Sequence, residues 1–204
     1  MFKSDVATTD NFTNMLNKKP RILHISCHGI RNCVNNIGLN FEEMKQEGHF
    51  LLFETPLGEG NLVSSKKLND LIDKTTGDLD VVFVAACDSE FVGKIFLRCG
   101  AKHVICVKKE RFVLDEAAIA FTEIFYSQII QKGLSICEAF AHAKAVVEFK
   151  FEVKEADLFI KFTEEQLVEF ESMGAVRAKP HACYSHQKEK AGSYECISNH
   201  IQFK

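Results

Sequence analysis

The chain has no tryptophan and, among its 204 residues, only 3 prolines and 11 glycines. That scarcity excludes collagen-like, Pro-rich and Gly/Ser-rich low-complexity architectures. Positive charge is not in excess: 25 Lys and Arg stand against 28 Asp and Glu, for a formal net charge of -3. A dominant nucleic-acid or membrane-surface role usually needs a basic face, so neither partner is expected. No apolar run approaches the roughly 18 residues of a membrane span. Residues 1–10 contain no apolar signal core, so the expected setting is cytoplasmic. A G-x-G-x-x-G phosphate loop is also missing. Cys27-His28-Gly29-Ile30-Arg31 stands where it would follow the first strong strand, which disfavours a flavodoxin-like small-molecule binder.

What remains is an ordinary globular composition, 46% hydrophobic and 26% charged. The length fits one domain, or one domain with a tail, at about 150 residues per domain. Aromatic content is carried by 18 Phe against 3 Tyr, and rings without a polar tip belong mostly in a core. There are eight cysteines: Cys27, Cys33, Cys87, Cys99, Cys106, Cys137, Cys183 and Cys196. Several lie inside apolar patterns such as Val104-Ile105-Cys106-Val107, where a free thiol acts as a small hydrophobe. Reduced thiols are therefore expected, with Cys33, Cys99, Cys106 and Cys137 read as structural.

Hydrophobic patterning divides the chain into a polar, irregular or weakly helical lead-in over 1–20, a domain over 21–165, and a polar tail over 166–204. Short buried strands are predicted at 21–27, 49–54, 79–86 and 103–107, with an edge strand at 157–162. Helices are predicted at 64–73, at 90–99 with Ser89 as its cap, at 115–132 with Gly133 as its stop, and from the Ser135-x-x-Glu138 capping box to about 149. Alternation of this kind defines an α/β domain with a mostly parallel sheet and helices on both faces.

In such sheets the working groups lie outside the carboxyl ends of the strands. That rule selects Cys27-His28-Gly29 and Cys87-Asp88-Ser89. A cysteine nucleophile needs a thiolate, and histidine is the usual base that supplies it. His28 and Cys87 are 59 positions apart, yet both are expected on one rim. Cys87 precedes a predicted helix, whose N-terminus favours a thiolate. Backbone N–H groups at Gly29 and Cys87 are the expected oxyanion-hole donors. Taken singly, a strand-end cysteine is more often packing, and a His-Gly pair is more often a turn. Their matched placement tips the balance toward chemistry.

The blocks Ile22-Leu-His-Ile-Ser-Cys-His-Gly29 and Val81-Val-Phe-Val-Ala-Ala-Cys-Asp-Ser89 resemble the two signature blocks of the CHAT domain, a family of the caspase-like cysteine peptidases. The similarity runs over about residues 20–150. It implies a three-layer caspase-like fold and a cysteine endopeptidase with His28 as base and acid, Cys87 as nucleophile and Gly29 at the oxyanion hole. It implies no cofactor, a protein or peptide substrate, and a larger multidomain or repeat-containing partner, since CHAT domains commonly occur beside helical repeats. Two departures bear on specificity. Caspases follow the cysteine with Arg, Gln or Gly, where Asp88 stands here. Metacaspases place an Asp two residues before it, where Ala85 stands here. The alternative is a non-catalytic signalling or scaffold module that keeps the fold.

His24 shares a strand face with position 28, which makes it a supporting or core histidine. Asp88 is either a contributor to the substrate pocket or a solvated helix-start carboxylate. In the tail, Cys183-x2-His186 and Cys196-x3-His200 have spacings compatible with tetrahedral zinc. Chance scatter explains so mixed a set better, and no metal is expected.

Overall fold

A computed structural model describes residues 3–31, 48–72, 79–109, 111–163, 166 and 200–203. In chain order the elements are β1 (Lys3–Val6), α1 (Thr9–Leu16), β2 (Ile22–Ser26), β3 (His28–Arg31), β4 (His49–Glu54), β5 (Gly60–Ser64), α2 (Ser65–Ile72), β6 (Val81–Ala85) and α3 (Glu90–Arg98). They continue with β7 (His103–Val107), α4 (Asp115–Lys132), α5 (Ile136–Lys150), α6 (Val153–Ala156), β8 (Phe159–Thr163) and β9 (His200–Phe203). The protein is therefore of the α/β class.

The main sheet has the order β1-β9-β2-β6-β7-β8. At its heart β2, β6 and β7 are parallel neighbours. β8 pairs antiparallel at one edge, and β9 pairs antiparallel with both β1 and β2. β1 consequently points the same way as β2, so four of the six strands share a direction. Parallel neighbours need a crossover connection, which α3 supplies between β6 and β7.

Alternation along β6 divides the core between two faces. Val82 and Val84 join Leu23, Ile25, Val104 and Cys106 beneath α1, α2 and α3. Val81 and Phe83 join Ile105, Val107 and Phe159 beneath α4, α5 and α6. Much of the phenylalanine excess is used here. Phe121 stacks on Phe159 with ring centroids 4.2 Å apart, and meets Phe83 at 5.5 Å edge-to-face. On the other face Phe12 packs against Phe53 and Phe96. The helix boundaries follow local chemistry. Ser135 and Glu138 form the capping box that opens α5, and Gly133, at φ 66°, closes α4 in the left-handed region.

The structure corrects or completes the sequence reading in three places. The lead-in, read as irregular or weakly helical, forms β1 and the helix α1 and joins the core: Ala7, Phe12, Met15 and Leu16 are core residues, with Thr8 capping α1 through its side chain. The polar composition misled because α1 buries only one stripe. The last four described residues, within the predicted tail, insert as β9 between β1 and β2. The strand at 49–54 belongs to a separate antiparallel sheet, β3-β4-β5, rather than to the main sheet.

Candidate active site

β2 and β6 run side by side in register, with Ser26 beside Ala85 as the last pair. The next residues, Cys27 and Ala86, leave the sheet together at its carboxyl rim. From Cys27 the chain crosses into the small sheet, and His28 becomes the first residue of β3. β3 is held by β4, where Gly29 stands opposite Leu51.

This crossing brings Gly29 against the backbone of Cys87. A β-carbon on Gly29 would overlap the Cys87 carbonyl oxygen and lie 2.7 Å from its carbonyl carbon and 3.3 Å from its nitrogen. Only glycine permits that approach. His28 and Cys87 line one pocket of about 320 Å³, together with His24, Ser26, Cys27 and a stripe of α4.

The electrostatics at Cys87 oppose each other. Removal from water pushes its thiol up, and the nearby carboxylates of Asp115 and Asp88 push the same way. Backbone N–H groups of Val113 and of Cys87 itself act in the opposite direction and only partly offset this. The net shift is upward, so the resting group is a thiol at neutral pH. Cys27, whose thiol is pushed far up chiefly by burial and further by Cys87, is inert by comparison.

His24 is 4% exposed, and its Nδ1 lies 3.0 Å from the Tyr126 hydroxyl. Burial lowers it to about 4, so it is neutral at physiological pH. Its ring meets Phe83 edge-to-face at 4.8 Å. The shared strand face expected for positions 24 and 28 is interrupted by the change of sheet at Cys27, although both residues reach the pocket.

Asp88 departs from the solvated-carboxylate expectation. It is 5% exposed, and its Oδ2 lies 2.5 Å from His49 Nδ1. Ser89 was expected to cap α3 through its side chain. Its hydroxyl instead donates to the Val84 carbonyl at 3.2 Å and accepts from the Val107 N–H at 3.0 Å, joining β6 to β7. Cys137, expected to be structural, is exposed on α5, with Lys161 Nζ 2.8 Å from its sulfur. Cys99 is half-buried and Cys106 is buried, as core thiols would be.

Cys33, Cys183, His186 and Cys196 lie outside the described residues, and His200 is placed only as the first residue of β9. Among the described residues no cluster of three His, Cys, Asp or Glu could hold a metal ion. No helix among them is long and apolar enough to cross a membrane.

Sequence reasoning missed two contributors. Asp115, Ala118, Ile119, Thr122 and Glu123 line the pocket from α4. Their spacing, i, i+3, i+4, i+7 and i+8, marks one helical face and was there to be read. His49 was missed because nothing local links a residue on β4 to a turn 39 positions later.

The arrangement defines an α/β domain in which a histidine and a cysteine leave adjacent parallel strands to share a pocket. The family model described as CHAT domain matches residues 1–150, and the chain belongs to that family, which is related to the cysteine peptidases. A comparison with curated proteins finds no match.

Proposed function

We propose that this domain is a cysteine endopeptidase with a three-layer caspase-like fold, in which His28 and Cys87 form the catalytic dyad. The observation that carries this reading is their convergence on one pocket from adjacent strand ends, with Gly29 seated against the Cys87 backbone. His28 removes the thiol proton, and the Cys87 sulfur attacks the scissile carbonyl carbon. Backbone N–H groups at Gly29 and Cys87 stabilise the resulting oxyanion. The His28 imidazolium then protonates the departing amine, leaving a thioester. Water, giving a proton to His28, hydrolyses the thioester and restores the thiol. This chemistry uses only side chains and backbone, with a protein or peptide as substrate and control by a larger partner.

A non-catalytic signalling or scaffold module is the second reading. One observation favours it: the Cys87 thiol is raised rather than lowered. A peptide-library cleavage screen separates the two. Cleavage by the wild type that disappears in both Cys87→Ala and His28→Ala supports the peptidase. Absence of cleavage, together with electrophilic-peptide labelling of Cys87 that His28→Ala leaves unchanged, favours the module.

A further inference from the structure

We propose that His49 is a positioning residue for Cys87, acting through Asp88. The inference rests on the reading of Cys87 as the nucleophile. Three observations carry it.

Asp88, the residue after Cys87, sits in the left-handed region at φ 53°. Asp tolerates that conformation better than most residues, but it persists only where the surroundings hold it. Two contacts do so. The Asp88 N–H donates to the Arg111 carbonyl at 3.1 Å, and the Asp88 carboxylate meets His49 at 2.5 Å.

His49 is itself fixed. Its ring stacks on Phe91 of α3, with centroids 5.5 Å apart and planes inclined by 29°. It begins β4, the strand that pairs with β3, and it stands opposite Arg31 where Leu52 stands opposite His28. One hairpin therefore carries both the proposed base and the imidazole that grips the residue beside the nucleophile. Its two strands reach the Cys87 turn by separate contacts, Gly29 on the Cys87 backbone and His49 on the Asp88 side chain.

The Asp88 carboxylate also acts on the thiol electrostatically, since its negative charge disfavours the thiolate. An imidazole hydrogen-bonded to that carboxylate draws its charge away from the sulfur. Among the described residues, the other ionisable groups around Cys87 are Asp115 and Glu123 on α4, His28 on β3, His24 on β2 and Cys27 at the end of β2. His49 thus controls both where the Cys87 turn lies and how readily its thiol ionises.

The test is the pH dependence of Cys87 alkylation by iodoacetamide in the full chain, read by mass spectrometry of the Cys87 peptide. His49→Ala should move the alkylation midpoint to higher pH and slow the reaction at neutral pH about tenfold. In an Asp88→Asn background the same change should leave the midpoint where Asp88→Asn alone puts it. Thermal melting checks that each variant is folded. Should His49→Ala not fold, His49→Gln retains an N–H donor for Asp88 and should give a smaller shift of the same sign. An unmoved midpoint, or an equal shift in both backgrounds, overturns the proposal. The peptidase reading fails separately, through His28→Ala leaving electrophilic-peptide labelling of Cys87 unchanged. That result does not alter the alkylation cycle.

Discussion

Gly29 has no room for a side chain because the Cys87 carbonyl occupies the place its β-carbon would take. The contact joins the small sheet to the turn that carries the sulfur, so its disruption should be felt at both. Gly29→Ala must push the two backbones apart. Overpacking of this kind costs about 1–3 kcal/mol. A shift of about 1 Å between His28 and Cys87 would also lower turnover by up to about 100-fold. Urea unfolding and peptide cleavage measured on the same preparation provide the check. Full stability with full activity would show that the approach can relax without consequence.

Asp115 is expected to restrain the thiol. Its carboxylate at the start of α4 raises the Cys87 thiol, so Asp115→Asn should lower it and speed alkylation at pH 7 about threefold. Asp115 is exposed, so added salt should shrink the difference. Glu123→Gln, on the same pocket-lining face, serves as the comparison because Asp115 and Asp88, and not Glu123, are the main charges that raise the thiol. Equal rates for wild type and Asp115→Asn at low salt would contradict this assignment.

His24 makes the fold sensitive to acid. Its folded value is lowered from 6.5 to about 4 by burial, so the unfolded chain binds a proton that the folded chain refuses. Stability is therefore unaffected above about pH 6.5, falls as pH drops through the window, and is reduced most below about 4. The full loss is about 3 kcal/mol. His24→Leu removes the titration. Denaturant unfolding at pH 7, 5 and 4 should show the wild type losing more stability than the variant on acidification. Parallel loss in the two proteins would assign the acid sensitivity to other groups.

Much of this site could be read along the chain because its two halves obey local rules. The continuous apolar run at 79–86 and the expected breaks after Cys27 and Ala86, each within a residue of the strand ends in the structure, put His28 and Cys87 at strand ends on one rim without knowledge of any contact. The capping box at Ser135 and the glycine stop at Gly133 are likewise local. What escaped depends on distant pairing. β4 has the composition of a main-sheet strand, and only its partners β3 and β5 assign it to the second sheet. Asp88 read as a solvated carboxylate because its partner, His49, arrives from that sheet. β9 escaped because Ile201 and Phe203 alternate with His200 and Gln202 over four residues only, the shortest run that argues for a strand, in an otherwise polar tail.

Ser89 offers the cleanest distinction between a local rule and the tertiary bond that replaced it. As an N-cap its hydroxyl would serve the first turn of α3, but no such bond is made. The side chain is fully buried and bridges Val84 to the Val107 N–H. Ser89→Ala would leave that buried strand N–H without its acceptor, at a cost of about 1–3 kcal/mol. The damage should appear between β6 and β7 rather than in the helix. Hydrogen exchange should therefore quicken at Val107 while the amides in the first turn of α3 keep their protection. Faster exchange confined to that first turn would instead restore the capping role that the sequence suggested.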